Sequence, residues 1–141
     1  MKRTASANWK GSLKDGKGLI STKSGVLSNT QYSFSTRFED GIGTNPEELI
    51  AAAHAGCFTM ALSAELGKAD ITPEALNTTA TLTMDKLDAG WTVTAIHLAV
   101  EAKIPGADAG KFQEAAKNAK AGCPISRLLK ADITMEAQLI S

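Results

Sequence analysis

Cys57 and Cys123 are the two cysteines of the chain, and their contexts differ in ways that bear on chemistry. In a reducing compartment a permanent disulfide is disfavoured. A cysteine pair there points to redox work, to metal binding, or to two small buried residues without a role. Cys57 falls in the middle of a strongly apolar helical run. A thiol so placed has its pKa raised by burial and is inert unless a cation is brought to it. Taken alone, it reads as a core residue. Cys123 stands between Gly122 and Pro124, at the expected N-cap of a short helix. Backbone N–H groups and the helix dipole favour a thiolate there, although a cysteine replacing a serine cap reads as well.

A cation for Cys57 has to come from elsewhere. Arg37 offers a fixed charge and a planar fork of donors that can hold a thiolate. Alone it reads more readily as a solvated arginine. Glu47 can orient that arginine, or can simply favour the start of a helix. His54, three residues before Cys57, would suit a Cys–His pair for acyl transfer. Two cysteines and two histidines without paired spacing argue against a metal centre. Gly41-Ile42-Gly43 lacks the third glycine of a phosphate-cradling loop, and no nucleophile-elbow motif is present.

The elements that position these residues follow from local signals. Turns at Lys14–Gly18 and Ser28–Thr30 mark an opening meander of three strands. The third is expected over Gln31–Phe38, with Tyr32, Phe34, Thr36 and Phe38 on one face and Arg37 on the more polar one. Asn45-Pro46-Glu47-Glu48 reads as a helix start, with Asn45 as cap and Glu48 placed for the return half of a capping box. That helix should run to about Leu66 and bury a stripe of Ile50, Ala53, Cys57, Met60, Ala61 and Ala64. Strands follow near Asn77–Lys86 and Trp91–Lys103, and a change of phase in the second implies either a bulge near Thr94 or burial of both faces. Asp108 caps a helix to about Ala121 with Phe112, Ala115, Ala116 and Ala119 inward. A short helix over Ile125–Lys130 and a strand over Ala131–Ile140 complete the chain. The order describes one α+β domain, residues 1–141, with a mainly antiparallel sheet.

At 141 residues and 43% hydrophobic the chain can build a core, and its net charge of +0 leaves no electrostatic footprint for nucleic acid. No signal sequence and no membrane span is read, so the expected location is the cytoplasm.

Thr44-Asn45-Pro46-Glu47-Glu48-Leu49-Ile50-Ala51-Ala52-Ala53-His54-Ala55-Gly56-Cys57-Phe58 closely resembles the first signature of the OsmC/Ohr family. Lys120-Ala121-Gly122-Cys123-Pro124-Ile125-Ser126 resembles the second, and the similarity extends from Trp9 through the last strand. Thr36-Arg37-Phe38-Glu39 is similar to the arginine segment of the OsmC branch, whereas the early loop Lys14-Asp15-Gly16-Lys17 lacks the arginine of the Ohr branch. The resemblance implies an intertwined homodimer, with antiparallel sheets wrapped around two central helices and active sites at the subunit interface. It implies a thiol peroxidase acting on organic hydroperoxides, and less efficiently on hydrogen peroxide, in oxidative and osmotic stress. Cys57 would be the attacking thiol, activated by Arg37 with Glu47 as its carboxylate partner, and Cys123 would form a disulfide with it. A dihydrolipoyl-type dithiol would be the reductant. No metal, flavin or haem is required, and His54 has no essential role. The alternative on the same fold is a non-catalytic stress or ligand-binding protein with an inert Cys57.

Overall fold

The computed structural model describes residues 1–140 as two compact units, Met1–Leu49 and Ile50 onward. In the first, β1 (Ala5–Lys10), β2 (Lys17–Thr22) and β3 (Thr30–Tyr32) form an antiparallel meander in that order. Gly18 on β2 pairs with Trp9 on one side and Tyr32 on the other, and a Cβ there would run into both rings. The two rings, 5.5 Å apart, therefore close over a bare backbone.

β3 is shorter than the alternating pattern of Gln31–Phe38 predicts. Its second half is a one-turn helix, α1 (Phe34–Phe38). The Ser33 hydroxyl accepts from the Thr36 N–H while the Thr36 hydroxyl accepts from the Ser33 N–H. This reciprocal cap satisfies the backbone locally, so no ladder partner is needed and the strand ends at Tyr32. Arg37 consequently sits in the last turn of α1 and not on the polar face of a strand.

The main helix, α2 (Pro46–Lys68), starts where the cap signal places it. The Asn45 carboxamide oxygen accepts the Glu48 N–H at 2.7 Å. Glu48 makes no return bond to Asn45; its carboxylate takes the Thr44 hydroxyl at 3.4 Å instead. The buried row is also displaced from the expected stripe. His54, Phe58, Leu62 and Leu66 are buried, Ile50, Cys57 and Ala61 are partly so, and Ala53, Ala64 and Met60 are exposed. Bulk explains the shift. The i, i+4 row carrying phenylalanine and two leucines removes more apolar surface from water than a row of alanines. By length and composition α2 could cross a membrane, contrary to the sequence reading: a stretch with mean hydropathy 1.4 lies within its 23 residues, and 22% of that stretch is buried in the chain. The run of Ala, Gly, Cys, Phe and Met raises its hydropathy without any long aliphatic block.

In the second unit, β4 (Ala75–Leu87) and β5 (Gly90–Lys103) make a long hairpin, and β6 (Asp132–Ile140) adds to the far side of β5. Thr83 pairs with Ala95 and Met84 with Val93, which leaves Thr94 as the extra residue of the predicted bulge. Beyond it Ile96, Leu98, Val100 and Ala102 all face the core. β5 and β6 run parallel, because α3 (Ala109–Gly122) and α4 (Pro124–Leu128) carry the chain back between them. The remaining strand pairs are antiparallel. Asp108 caps α3 through the Lys111 N–H, and Phe112, Ala115, Ala116 and Ala119 pack with Phe58, Leu62 and Leu66 of α2.

Candidate active site

Two constellations stand out, one in each unit. In the second unit the sulfur of Cys123 lies 2.8 Å from that of Cys57, with both cysteines free. Disulfide sulfurs stand about 2.05 Å apart, so bond formation needs only a small approach. The chain turns sharply to reach this contact. Cys123 ends α3, donating its N–H to Ala119 at 2.9 Å, and begins α4 by accepting from the Arg127 N–H at 3.0 Å. Pro124 pushes the residue before it out of the helical region, and Cys123 is extended with ψ 125°.

The expected N-cap role of Cys123 is corrected in one respect. Its side chain makes no cap hydrogen bond and points to Cys57. The Ile125 backbone N–H, at the start of α4, faces Cys57 and favours its thiolate. A helix start therefore does reach Cys57, from an element that the sequence around Cys57 does not contain. Burial pushes the Cys57 thiol up, and the Cys123 contact adds to this; the Ile125 N–H opposes both. Within this unit Cys57 is thus a protonated thiol at neutral pH. Cys123 is fully buried, whereas Cys57 keeps some access.

His54 is fully buried as well, and its Nε2 shares a 2.7 Å hydrogen bond with the Ser126 hydroxyl. Burial lowers its pKa, so it is neutral. Its Nδ1 is buried without a partner among the described residues. This pairing was missed from the sequence. Its only trace is the matched spacing of His54–Cys57 and Cys123–Ser126, three residues in each case. Among the described residues no three His, Cys, Asp or Glu side chains gather to hold a metal ion.

In the first unit Arg37 and Glu47 meet as expected. Nε and Nη2 of Arg37 donate to the same Glu47 oxygen, Oε1, at 2.9 and 2.6 Å. Glu47 Oε2 is buried and unpartnered among the described residues. Asn45 fixes the geometry from both sides, because the residue that caps α2 also donates its Nδ2 to the Thr36 carbonyl of α1 at 2.9 Å. The guanidinium stacks 5.4 Å from the Phe38 ring centroid. Trp9, Leu13, Tyr32, Ser33, Phe34, Phe38 and Arg37 line a mostly apolar cavity of about 230 Å³. The sequence pattern had put three of these aromatics on a strand face, so it could not foretell the cavity.

Comparisons with known proteins agree with this architecture. The profile of the OsmC-like protein family matches residues 39–138. Peroxiredoxin OsmC of Escherichia coli is 55% identical over 135 residues, covering 96% of this chain and 94% of that protein. Organic hydroperoxide resistance protein OhrB of Bacillus subtilis is 29% identical over 123 residues, 86% of this chain and 88% of its own. The crystal structure of OhrB superposes with a TM-score of 0.75, covering 96% of this chain and 98% of that one.

Proposed function

The chain belongs to the OsmC-like protein family, and from that membership we propose that it is a cysteine-based peroxidase that reduces organic hydroperoxides through Cys57 and Cys123. The observation that carries this reading is the sulfur pair, 2.8 Å apart, of which only Cys57 is open to a substrate. The Cys57 thiolate attacks the distal peroxide oxygen; an S–O bond forms, the O–O bond breaks, and the alkoxide leaves as the alcohol after taking a proton. Cys123 then displaces water from the Cys57 sulfenic acid to give the disulfide. A dithiol of the dihydrolipoyl type reduces that disulfide by exchange, which requires a reducing compartment such as the cytoplasm.

Arg37 supplies the charge that Cys57 lacks in its own unit. Nη1 is the guanidinium nitrogen not bonded to Glu47, and it is the group we assign to the thiolate and the peroxide oxygen. The cavity of Trp9, Tyr32, Phe34 and Phe38 beside it suits the organic part of the substrate. We place the complete site in a homodimer, as the resemblance to the family implies, where Arg37 of one copy serves the partner subunit's Cys57. The exposed Ala52, Ala53, Gly56, Met60 and Ala64 of α2 form a small-residue apolar face that a second copy would cover.

Two results are expected. With dihydrolipoamide as reductant, the protein consumes tert-butyl hydroperoxide faster than hydrogen peroxide. If neither is consumed, the non-catalytic ligand-binding reading replaces this one. In sedimentation equilibrium at micromolar concentration the chain runs at twice its 14.7 kDa mass; a monomer there contradicts the shared site.

A further inference from the structure

α4 is a helix of five residues, none of them buried. So short a helix has no stability of its own, and its place depends on what ties it down. Ile125 and Leu129 pack only partly against the core. Three polar ties run from this segment to α2: the Cys123–Cys57 contact, the Ile125 N–H to Cys57, and the Ser126–His54 hydrogen bond. The first two end on the sulfur that the peroxidase reading oxidises. When Cys57 becomes a sulfenic acid, both must rearrange around the new oxygen. The Ser126–His54 bond is the tie that contains no reacting atom.

Its geometry suits a clamp. His54 precedes Cys57 by three residues on α2, and Ser126 follows Cys123 by three at the start of α4, so the two contacts lie side by side. His54 is fully buried and neutral. The protonation pattern that avoids a buried orphan N–H has Nε2–H donating to Ser126 and Nδ1 as a bare lone pair. We propose that His54 and Ser126 are positioning residues, whose hydrogen bond holds α4 on α2 and keeps Cys123 in reach while Cys57 carries the sulfenic oxygen. The role rests on the peroxidase reading. It extends that reading to the competition between disulfide closure, which releases water, and attack by a second hydroperoxide, which gives sulfinic acid and alcohol.

The test uses the full-length protein mixed rapidly with tert-butyl hydroperoxide, quenched, alkylated and read by mass spectrometry. Ser126→Ala and His54→Asn should form the Cys57 sulfenic acid within about twofold of the wild-type rate but close the disulfide about tenfold more slowly. Their yield of sulfinic acid should rise accordingly. His54→Gln, whose amide reaches about as far as Nε2, should restore closure. A second measurement needs no peroxide: the Cys57–Cys123 disulfide equilibrium against dithiothreitol should shift about tenfold towards the dithiol in Ser126→Ala. Should wild type form no sulfenic acid, the peroxidase reading fails while the dithiothreitol equilibrium still judges the clamp. Closure rates and equilibria within twofold of wild type in both variants overturn the proposal. So does equal slowing of both steps without rescue by His54→Gln, which is the mark of a general packing defect.

Discussion

Cys57→Ser should abolish hydroperoxide consumption, whereas Cys123→Ser should consume about one equivalent per site and then stall. The asymmetry follows from access. Cys123 is fully buried behind its contact with Cys57, so peroxide meets Cys57 first. Without Cys57 the remaining thiol has no peroxide to attack and stays reduced. Without Cys123 the Cys57 sulfenic acid has no resolving partner 2.8 Å away, and excess peroxide drives it to sulfinic and sulfonic acids that ordinary thiols do not rescue. Mass spectrometry after titration separates the cases: wild type loses two hydrogens, Cys123→Ser gains oxygens on the Cys57 peptide, and Cys57→Ser does neither. Oxygens found on Cys123 in Cys57→Ser, with Cys57 untouched in Cys123→Ser, would reverse the assignment.

Arg37→Ala is expected to lose about a hundred- to a thousandfold in kcat/KM at neutral pH, the usual cost of removing one preorganised donor from a developing anion. In its own unit Cys57 is held above the ordinary thiol range by burial first, and then by Cys123. On the proposed reading a thiolate at neutral pH depends on a charge supplied from outside, and taking that charge away should leave the thiol protonated. The sign gives a second readout. Because the thiolate is the reactive form, the rate of the variant should climb about tenfold per pH unit above neutrality, while that of wild type is already level. Arg37→Lys should recover part of the thiolate but little of the rate, since an ammonium cannot grip Glu47 and still present a fixed donor to peroxide. Identical Cys57 thiolate titrations in wild type and Arg37→Ala would defeat the assignment.

Sequence reading succeeded where a feature depends on neighbours within about one turn. Asn45-Pro46-Glu47 starts α2, Asp108 caps α3, and the phase change in β5 marks its bulge at Thr94. It failed at Gln31–Phe38 because two local signals competed there. The alternation is that of a strand, but Ser33 and Thr36 satisfy each other's backbone in a helical turn, and the nearer hydrogen bonds prevailed.

The cysteines, the arginine and its carboxylate could be singled out from residue type and from two signature-like segments. The contact of Glu47 with Arg37 could be anticipated, though not that both donors fall on one carboxylate oxygen. What the chain alone determined is therefore its set of candidate reactive groups and the helix starts and turns that frame them, since the latter rest on hydrogen bonds and steric limits between adjacent residues. Which row of α2 is buried, the parallel pairing of β6, the Ile125 N–H on Cys57 and the His54–Ser126 bond were decided only by tertiary structure. Each depends on what lies across a gap from it. His54 and Ser126 are 72 residues apart, and beyond their matched spacing from the two cysteines nothing near either residue indicates what the fold sets opposite it.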